Sequence, residues 1–400
     1  MTPVFLVLNS GSSSLKFQVF AARGSGEPQR VFRGQFQGLG RNARFSAVDD
    51  KGEAIANSDF EGQKLGHEQA LSYLASWLRE HAQGFALAAV GHRVVHGGRF
   101  YSKPVNVEED TLEALERLVP LAPLHQPHNL EPIRIIRRRF PELPQIACFD
   151  TAFHHGQPDV AQLFAIPRSM SESGVRRYGF HGLSYAFLAS TFADYDEALA
   201  KGRVVAAHLG NGASLCAIRN GASVATTMGF SALDGLPMGT RCGNLDPAVV
   251  FYMLREMKLG LDEAEQLLYR ESGLLGVSGV SNDMRELRTL APTNPMAKLA
   301  IDLFVYRIGR ELGSLVAALG GIDALVFTAG IGENDVATRA EVIQGAAWAG
   351  LTLDEAANAQ GGPKITRGAG PSAWVIRTDE ELMIAREMRA MLGEVTAHAA

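Results

Sequence analysis

Three short segments carry the residue types that phosphate binding uses. The first is Asn9-Ser10-Gly11-Ser12-Ser13-Ser14-Leu15-Lys16. Small residues there let backbone N–H groups approach a phosphate, hydroxyls add donors, and Lys16 offers a point charge to phosphoryl oxygens. It is not a GxxxxGK[ST] loop, because Lys16 stands where the second glycine belongs. The second segment, His208 to Ser214, reads HLGNGAS, and Gly210 and Gly212 around Asn211 form a tight turn that exposes backbone. The third, Thr328 to Asn334, reads TAGIGEN, where Gly330 and Gly332 permit close approach of a nucleotide. It is not GxGxxG, so a dinucleotide fold is not supported. Alone, each segment reads equally well as an ordinary turn. Together, all closing apolar runs, they favour a nucleotide.

Arginine marks the acceptor side. Arg93 in GHRVVHGG and Arg241 in MGTRCGNLDP sit in glycine-bracketed, apolar surroundings, where a guanidinium needs an anionic partner. Each serves either as half of a structural ion pair or as a fork for carboxylate or phosphate. Asp150 closes the run QIACF, placed to orient a metal-bound water or to make a contact between lobes. His181, in RRYGFHGLS, can donate to a transferring phosphoryl group or can be a satisfied loop histidine. The pairs His92/His96, His125/His128 and His154/His155 lack HExxH or zinc-ligand spacing and read as structural.

The elements that must position these residues follow from hydrophobic period. PVFLVLN reads as a strand, SGSSS as a turn and LKFQVF as an alternating strand, so the chain opens with a hairpin. Residues 67–80 repeat apolar side chains at helical spacing. AVGHRVVHGG, ELPQIACFD, GRVVAAHLGNG and DALVFTAGIGEN read as buried strands, the last three ending in polar or glycine-rich loops, where α/β sheets gather ligands. Breaks near 141–158 suggest a boundary between lobes. The expected division is 1–150 plus about 383–400, against 151–382. LNSGSSS and LGNGAS hint at two similar halves.

Bulk composition narrows the class. The 400 residues are 46% hydrophobic and 20% charged, a globular composition long enough for two cores. A net charge of −5 gives no overall field toward nucleic acid or an anionic membrane. The N-terminal apolar run Val4 to Leu8 is shorter than a signal-peptide core, and no stretch approaches the roughly 20 apolar residues of a membrane span. Cys148, Cys216 and Cys242 are odd in number and widely spaced, which fits a reducing cytoplasm without disulfides.

Over nearly the whole chain these blocks resemble the acetokinase family. LVLNSGSSSLKF, GHRVVHGG, LAPLH, FDTAFH, RRYGFHG, HLGNGAS, MGTRCGNLDP, FTAGIGEN and the terminal TDEEL carry the likeness. It implies a duplicated actin-like, sugar-kinase-like (ribonuclease H-like) α/β fold of two lobes, a homodimer, and an active site in the cleft between lobes. The implied reaction is reversible in-line transfer of the ATP γ-phosphoryl group to acetate, giving acetyl phosphate and ADP. Mg²⁺ serves as cofactor, with Mn²⁺ able to stand in. Residue by residue, Asn9 and Glu380 match metal positions and Lys16 a nucleotide contact. His208, Leu209, Gly210, Asn211 and Gly212 match one nucleotide segment, Asp283, Met284 and Arg285 a second, and Gly330, Ile331, Gly332, Glu333 and Asn334 a third. Arg93 matches the carboxylate-binding arginine, Asp150 the catalytic acid, and His181 and Arg241 the transition-state stabilisers. Val95, Leu124 and Phe180 match the lining of the acyl pocket.

The chain departs from the family pattern at Ala232 for Pro, Asp234 for Glu, Cys242 for Ser and Asn244 for Asp. Loss of proline at 232 is expected to open the acyl pocket toward propionate or butyrate. Asp379 for Asn adds charge beside Glu380. Because the acceptor carboxylate is already ionised at neutral pH, Asp150 is expected to orient a metal-bound water or Arg241 and not to remove a proton. The remaining alternative, a non-metabolic actin-like ATPase, leaves the acceptor arginines without a task.

Overall fold

The computed structural model describes residues 1–22 and 26–393. The chain divides into two compact units, Met1–Ala152 with Asp379–Ala400, and Phe153–Thr378. The chain thus returns to the first unit at Asp379, a few residues before the expected 383, because Asp379 begins the final helix, Glu380–Leu392. The end of that expected return, 394–400, lies outside the described residues.

In the first unit, β1 (Thr2–Ser10), β2 (Ser14–Ala21), β3 (Gln29–Gln37), β4 (Arg44–Asp49), β5 (Ala54–Asp59), β6 (Phe85–Val94), β7 (Val105–Asn106) and β8 (Gln145–Phe149) form one sheet in the order β5-β4-β3-β2-β1-β6-β8-β7. β1 runs antiparallel to β2 and parallel to β6, which is parallel to β8. β1 is apolar at successive positions because both its faces are covered. Val4, Leu6 and Leu8 join Leu71, Leu74 and Trp77 of the helix His67–His81, while Phe5 and Val7, pointing the other way, are also buried. The helix expected over 67–80 is therefore present, its start fixed by Gln69 Oε1 accepting from Gly66 N–H at 3.0 Å. Gly91 on β6 admits the final helix, since a methyl there would overlap Met388 and Ile384.

The second unit repeats the pattern. β9 (Arg203–Leu209), β10 (Ala213–Arg219), β11 (Ala222–Thr226), β12 (Ala324–Thr328) and β13 (Ser372–Val375) take the order β11-β10-β9-β12-β13. β9 is antiparallel to β10 and parallel to β12, which is parallel to β13. That matches β3-β2-β1-β6-β8 strand for strand, so the two similar halves hinted at by LNSGSSS and LGNGAS are real at the level of topology. Val204, Ala206, Val326 and Trp374 pack with Tyr185, Leu188 and Phe192 of the helix Gly182–Tyr195.

One expected loop is a helix. TAGIGEN forms the short helix Ala329–Asn334 directly on β12, with Ala329 in the left-handed region at φ 64°. Glu333 Oε1 accepts from Ala329 N–H at 2.8 Å, and the buried Arg339 donates to the Gly332 and Glu333 carbonyls at 3.0 and 2.9 Å. Both helix ends are satisfied by side chains, which overrides the low helix propensity of the glycines.

Candidate active site

In the first unit the C-terminal ends of β1, β6 and β8 bring Asn9, Arg93 and Asp150 together. Arg93 Nη2 and Nε donate to Asp150 Oδ2 and Oδ1 at 2.5 and 3.1 Å, and Nη1 donates to Asn9 Oδ1 at 3.2 Å. Asp150 is 1% exposed. It is thus a close ion-pair partner of Arg93, a partner the sequence reading did not assign to it. Burial works against the Arg93 cation, but Asp150, Glu380 and Glu381 outweigh it and hold the guanidinium above its usual range.

The final helix adds acids to this cluster. Glu380 Oε2 lies 3.6 Å from Arg93 Nε. Glu381 accepts from Asn9 Nδ2 at 3.3 Å and Gln18 Nε2 at 3.1 Å, and burial followed by the charges of Glu380 and Asp379 pushes its carboxyl up. Lys16, register partner of Asn9 on β2, pulls it the other way. The charge expected to crowd Glu380 from Asp379 is already committed: Asp379 pairs with Arg30 and accepts from Leu382 N–H at 2.9 Å as helix cap. Among the described residues no group of three or more His, Cys, Asp or Glu side chains is arranged to hold a metal.

Asn129, which the sequence reading missed, joins the strand ends. Its Oδ1 accepts from Val95 N–H at 2.9 Å and its Nδ2 donates to the Ser10 carbonyl at 2.7 Å. Gln126, one helical turn earlier, accepts from His96 N–H at 3.2 Å. Polar residues at 126 and 129 of an otherwise apolar helix face are the signal that would have found them. Val95 is buried and Leu124 half-buried. His92 is a structural histidine: it bonds Gln145 at 2.8 Å, and burial lowers it to about 4.

In the second unit His181 caps the helix Gly182–Tyr195 with φ 58°, a left-handed conformation that a non-glycine residue adopts only when its surroundings fix it. Its Nδ1 lies 2.8 Å from Ser214 Oγ, and its ring stacks on His208 with centroids 4.2 Å apart. His208 Nδ1 lies 2.9 Å from Ser184 Oγ. The Phe180 carbonyl is held by His154 Nε2 at 2.9 Å; the Phe180 ring is buried. Arg241 Nη1 donates to the Ala232 carbonyl at 2.6 Å. A methyl at Gly212 would stand 3.2 Å from both Arg241 Nη2 and His181 Nε2. Two nitrogen tips therefore converge on the space that this glycine leaves open.

Beside that turn lies a cavity of about 770 Å³, lined by Gly210, Asn211, Asp283, Met284, Arg285, Gly330, Ile331 and Asn334 among others. It brings together parts of 208–212, 283–285 and 330–334, while no residue of the segment 9–16 lines it. Asn282, Arg288 and Asp335, not anticipated, also line it. Arg288 is engaged with Glu341 at 2.6 Å and Asp335 at 3.1 Å. Asp283 caps the next helix, and its hydrogen bonds from the Arg285 side chain and backbone lower its carboxyl to about 2. His208, Leu209, Gly212, Gly332 and Glu333 do not line the cavity. Leu209 and Gly332 are buried, and Glu333 turns back to cap its own helix.

The acetokinase family model matches residues 4–386. An acetate kinase of Rhodopseudomonas palustris is 52% identical, with 97% of this chain and 98% of the relative covered. The crystal structure of a propionate kinase from Francisella tularensis superposes with a TM-score of 0.88 at 36% identity, covering 97% of this chain and 99% of that one. A Porphyromonas gingivalis acetate kinase structure gives 0.86 at 34%, covering 98% and 100%. Repeated five-strand cores and these neighbours define a two-lobe α/β protein of the actin-like, sugar-kinase-like fold. The chain belongs to the acetokinase family.

Proposed function

We propose that the protein is an acetate kinase, transferring the γ-phosphoryl group of ATP reversibly to acetate to give acetyl phosphate and ADP. The observation that carries this reading is the convergence of Arg241 Nη2 and His181 Nε2 beside Gly212, next to the cavity of the glycine turns. Phosphoryl transfer requires positioning and neutralisation of charge on the equatorial oxygens, and two preset donors supply that. Gly210, Asn211, Asp283, Met284, Arg285, Gly330, Ile331 and Asn334 hold the nucleotide.

Arg93 binds the acceptor. Its Nε–Nη2 edge is committed to Asp150 and one Nη1 hydrogen to Asn9, which leaves one further hydrogen on each of Nη1 and Nη2 for an acceptor carboxylate. Asp150 sets the orientation of Arg93 and removes no proton, since the acceptor arrives ionised. Asn9 and Glu380 would hold Mg²⁺, which when bound would supply positive charge to offset that of the nucleotide phosphates. Asn9 and Glu380 suit it, because this ion takes one or two protein oxygens and keeps waters. The raised carboxyl of Glu381 reflects burial first and then the charges of Glu380 and Asp379. Lys16 attends the phosphates. Val95 and Leu124, in the same unit as Arg93, receive the methyl group.

A propionate kinase among the matched structures keeps that acceptor as the second reading. The contact that Ala232 makes is through its carbonyl, to Arg241, and alanine supplies that carbonyl as well as proline does. No helix among the described residues is long and apolar enough to cross a membrane. A cytoplasmic homodimer is proposed, with exposed Phe251, Tyr252 and Tyr306 available for self-association. The test is a hydroxylamine assay with ATP, Mg²⁺ and acetate, propionate or butyrate. Acyl hydroxamate with highest kcat/KM for acetate is expected; none with any acid overturns the reading.

A further inference from the structure

We propose that Ser214 and Tyr185 are positioning residues that fix His181 with its proton on Nε2, aimed at the space beside Gly212 and Arg241. The inference deepens the proposed function and rests on its reading of that space as the phosphoryl position. Ser214 Oγ lies 2.8 Å from His181 Nδ1 and 2.6 Å from Tyr185 Oη. Ser214 and Tyr185 are wholly buried, so bulk water supplies no competing partner.

The direction of the chain follows from its far end. A buried phenol hydrogen needs an acceptor, and the Tyr185 hydroxyl meets Ser214 Oγ at 2.6 Å. Burial dominates and keeps Tyr185 protonated, well above its usual range. The Tyr185 O–H therefore turns to Ser214 Oγ, leaving no buried hydroxyl hydrogen without an acceptor. Ser214 has one proton, and with its oxygen already accepting from Tyr185 that proton turns to His181 Nδ1. Nδ1 accepts, and the neutral imidazole carries its hydrogen on Nε2.

The left-handed backbone of His181 and the stacked His208 ring hold the same orientation. A neutral Nε2–H can donate to a phosphoryl oxygen without the ring first gaining a proton.

The test uses full-length protein labelled with ¹⁵N-histidine, the His181 signals being assigned by their loss in His181→Asn. Nitrogen spectra at pH 8 should show Nδ1 unprotonated and Nε2 protonated. Ser214→Ala and Tyr185→Phe should lose this tautomer preference. Each should also lower kcat about 10–100-fold while the KM values for ATP and acetate stay within about threefold. In Ser214→Ala the kcat profile should gain an alkaline limb that the wild type lacks. A proton found on Nδ1 in the wild type, or both variants keeping wild-type tautomer and kcat, overturns the inference. The spectrum is read on resting protein, so failure to form acyl phosphate would sink the functional reading and leave this result standing.

Discussion

The β1–β2 and β9–β10 hairpins occupy the same place in the same five-strand core, yet they gather opposite chemistry. Around Asn9 in the first stand Asp150, Asp379, Glu380 and Glu381 with Arg93, Arg30 and Lys16. Around Gly212 in the second stand His181, His208 and Arg241, with a roomy cavity adjoining. A single topology presents a turn at the edge where ligands collect, and the side chains supplied by the neighbouring strand ends decide what that turn binds. The acid-rich copy suits a cation and an arginine-held carboxylate. The histidine and arginine copy suits an anion.

The contrast predicts its largest effect at Arg241. Arg241→Ala should lower kcat about 10³-fold, and Arg241→Lys should recover little, because a point charge does not reproduce the fork. A lysine variant near wild-type rate would show that charge alone suffices.

Next comes the ion pair of the first unit. Arg93→Met breaks the buried ion pair with Asp150 and should cost about 3–5 kcal/mol in urea unfolding. Adding Asp150→Asn should restore much of that stability without restoring affinity for acetate. If the double variant binds acetate normally, Arg93 is structural only.

The twin turns can be set against each other directly. Gly212→Ala puts a methyl against both nitrogen tips and should lower kcat by up to about 10²-fold. Gly11→Ala meets only Ser14, at 3.1 Å to Oγ, a hydroxyl that can rotate away, and should lose far less. Equal losses would mean that the two turns are not chemically distinct.

A last effect, on stability alone, belongs to His154, whose Nε2 meets the Phe180 carbonyl. Burial lowers it to about 4, so between pH 6.5 and 4 the unfolded chain binds a proton there that the folded chain refuses. Its stability contribution is complete above pH 6.5 and is lost as pH falls toward 4. The unfolding free-energy gap between wild type and His154→Gln should narrow by up to about 1.4 kcal/mol per pH unit across that window. A gap independent of pH would contradict the assigned protonation.

The strand framework was legible because buried strands read as apolar runs stopped by Asn and Gly, as in LVLNSG and VVAAHLGNG. The glycine turns and both arginines were legible as residue types out of keeping with apolar surroundings. Their partners were not. Whether Arg93 meets Asp150 depends on two strands becoming neighbours, and Asp379 meets Arg30 across 349 positions of chain. The short helix at TAGIGEN was hidden because its glycines argue against helix, while the groups that stabilise it, Glu333 and Arg339, act through the folded structure. Ser214 looked like the last small residue of a turn; only the strand register that sets it opposite His208 shows its hydroxyl between His181 and Tyr185.

The central claim is that the phosphoryl group leaves ATP for a carboxylate and not for water. The most direct measurement is the rate of ADP release by the wild-type protein with Mg²⁺ and ATP, taken with and without acetate. Release that depends on acetate and matches acetyl phosphate formed mole for mole is the predicted result. ADP released at the same rate in both reactions would contradict the account.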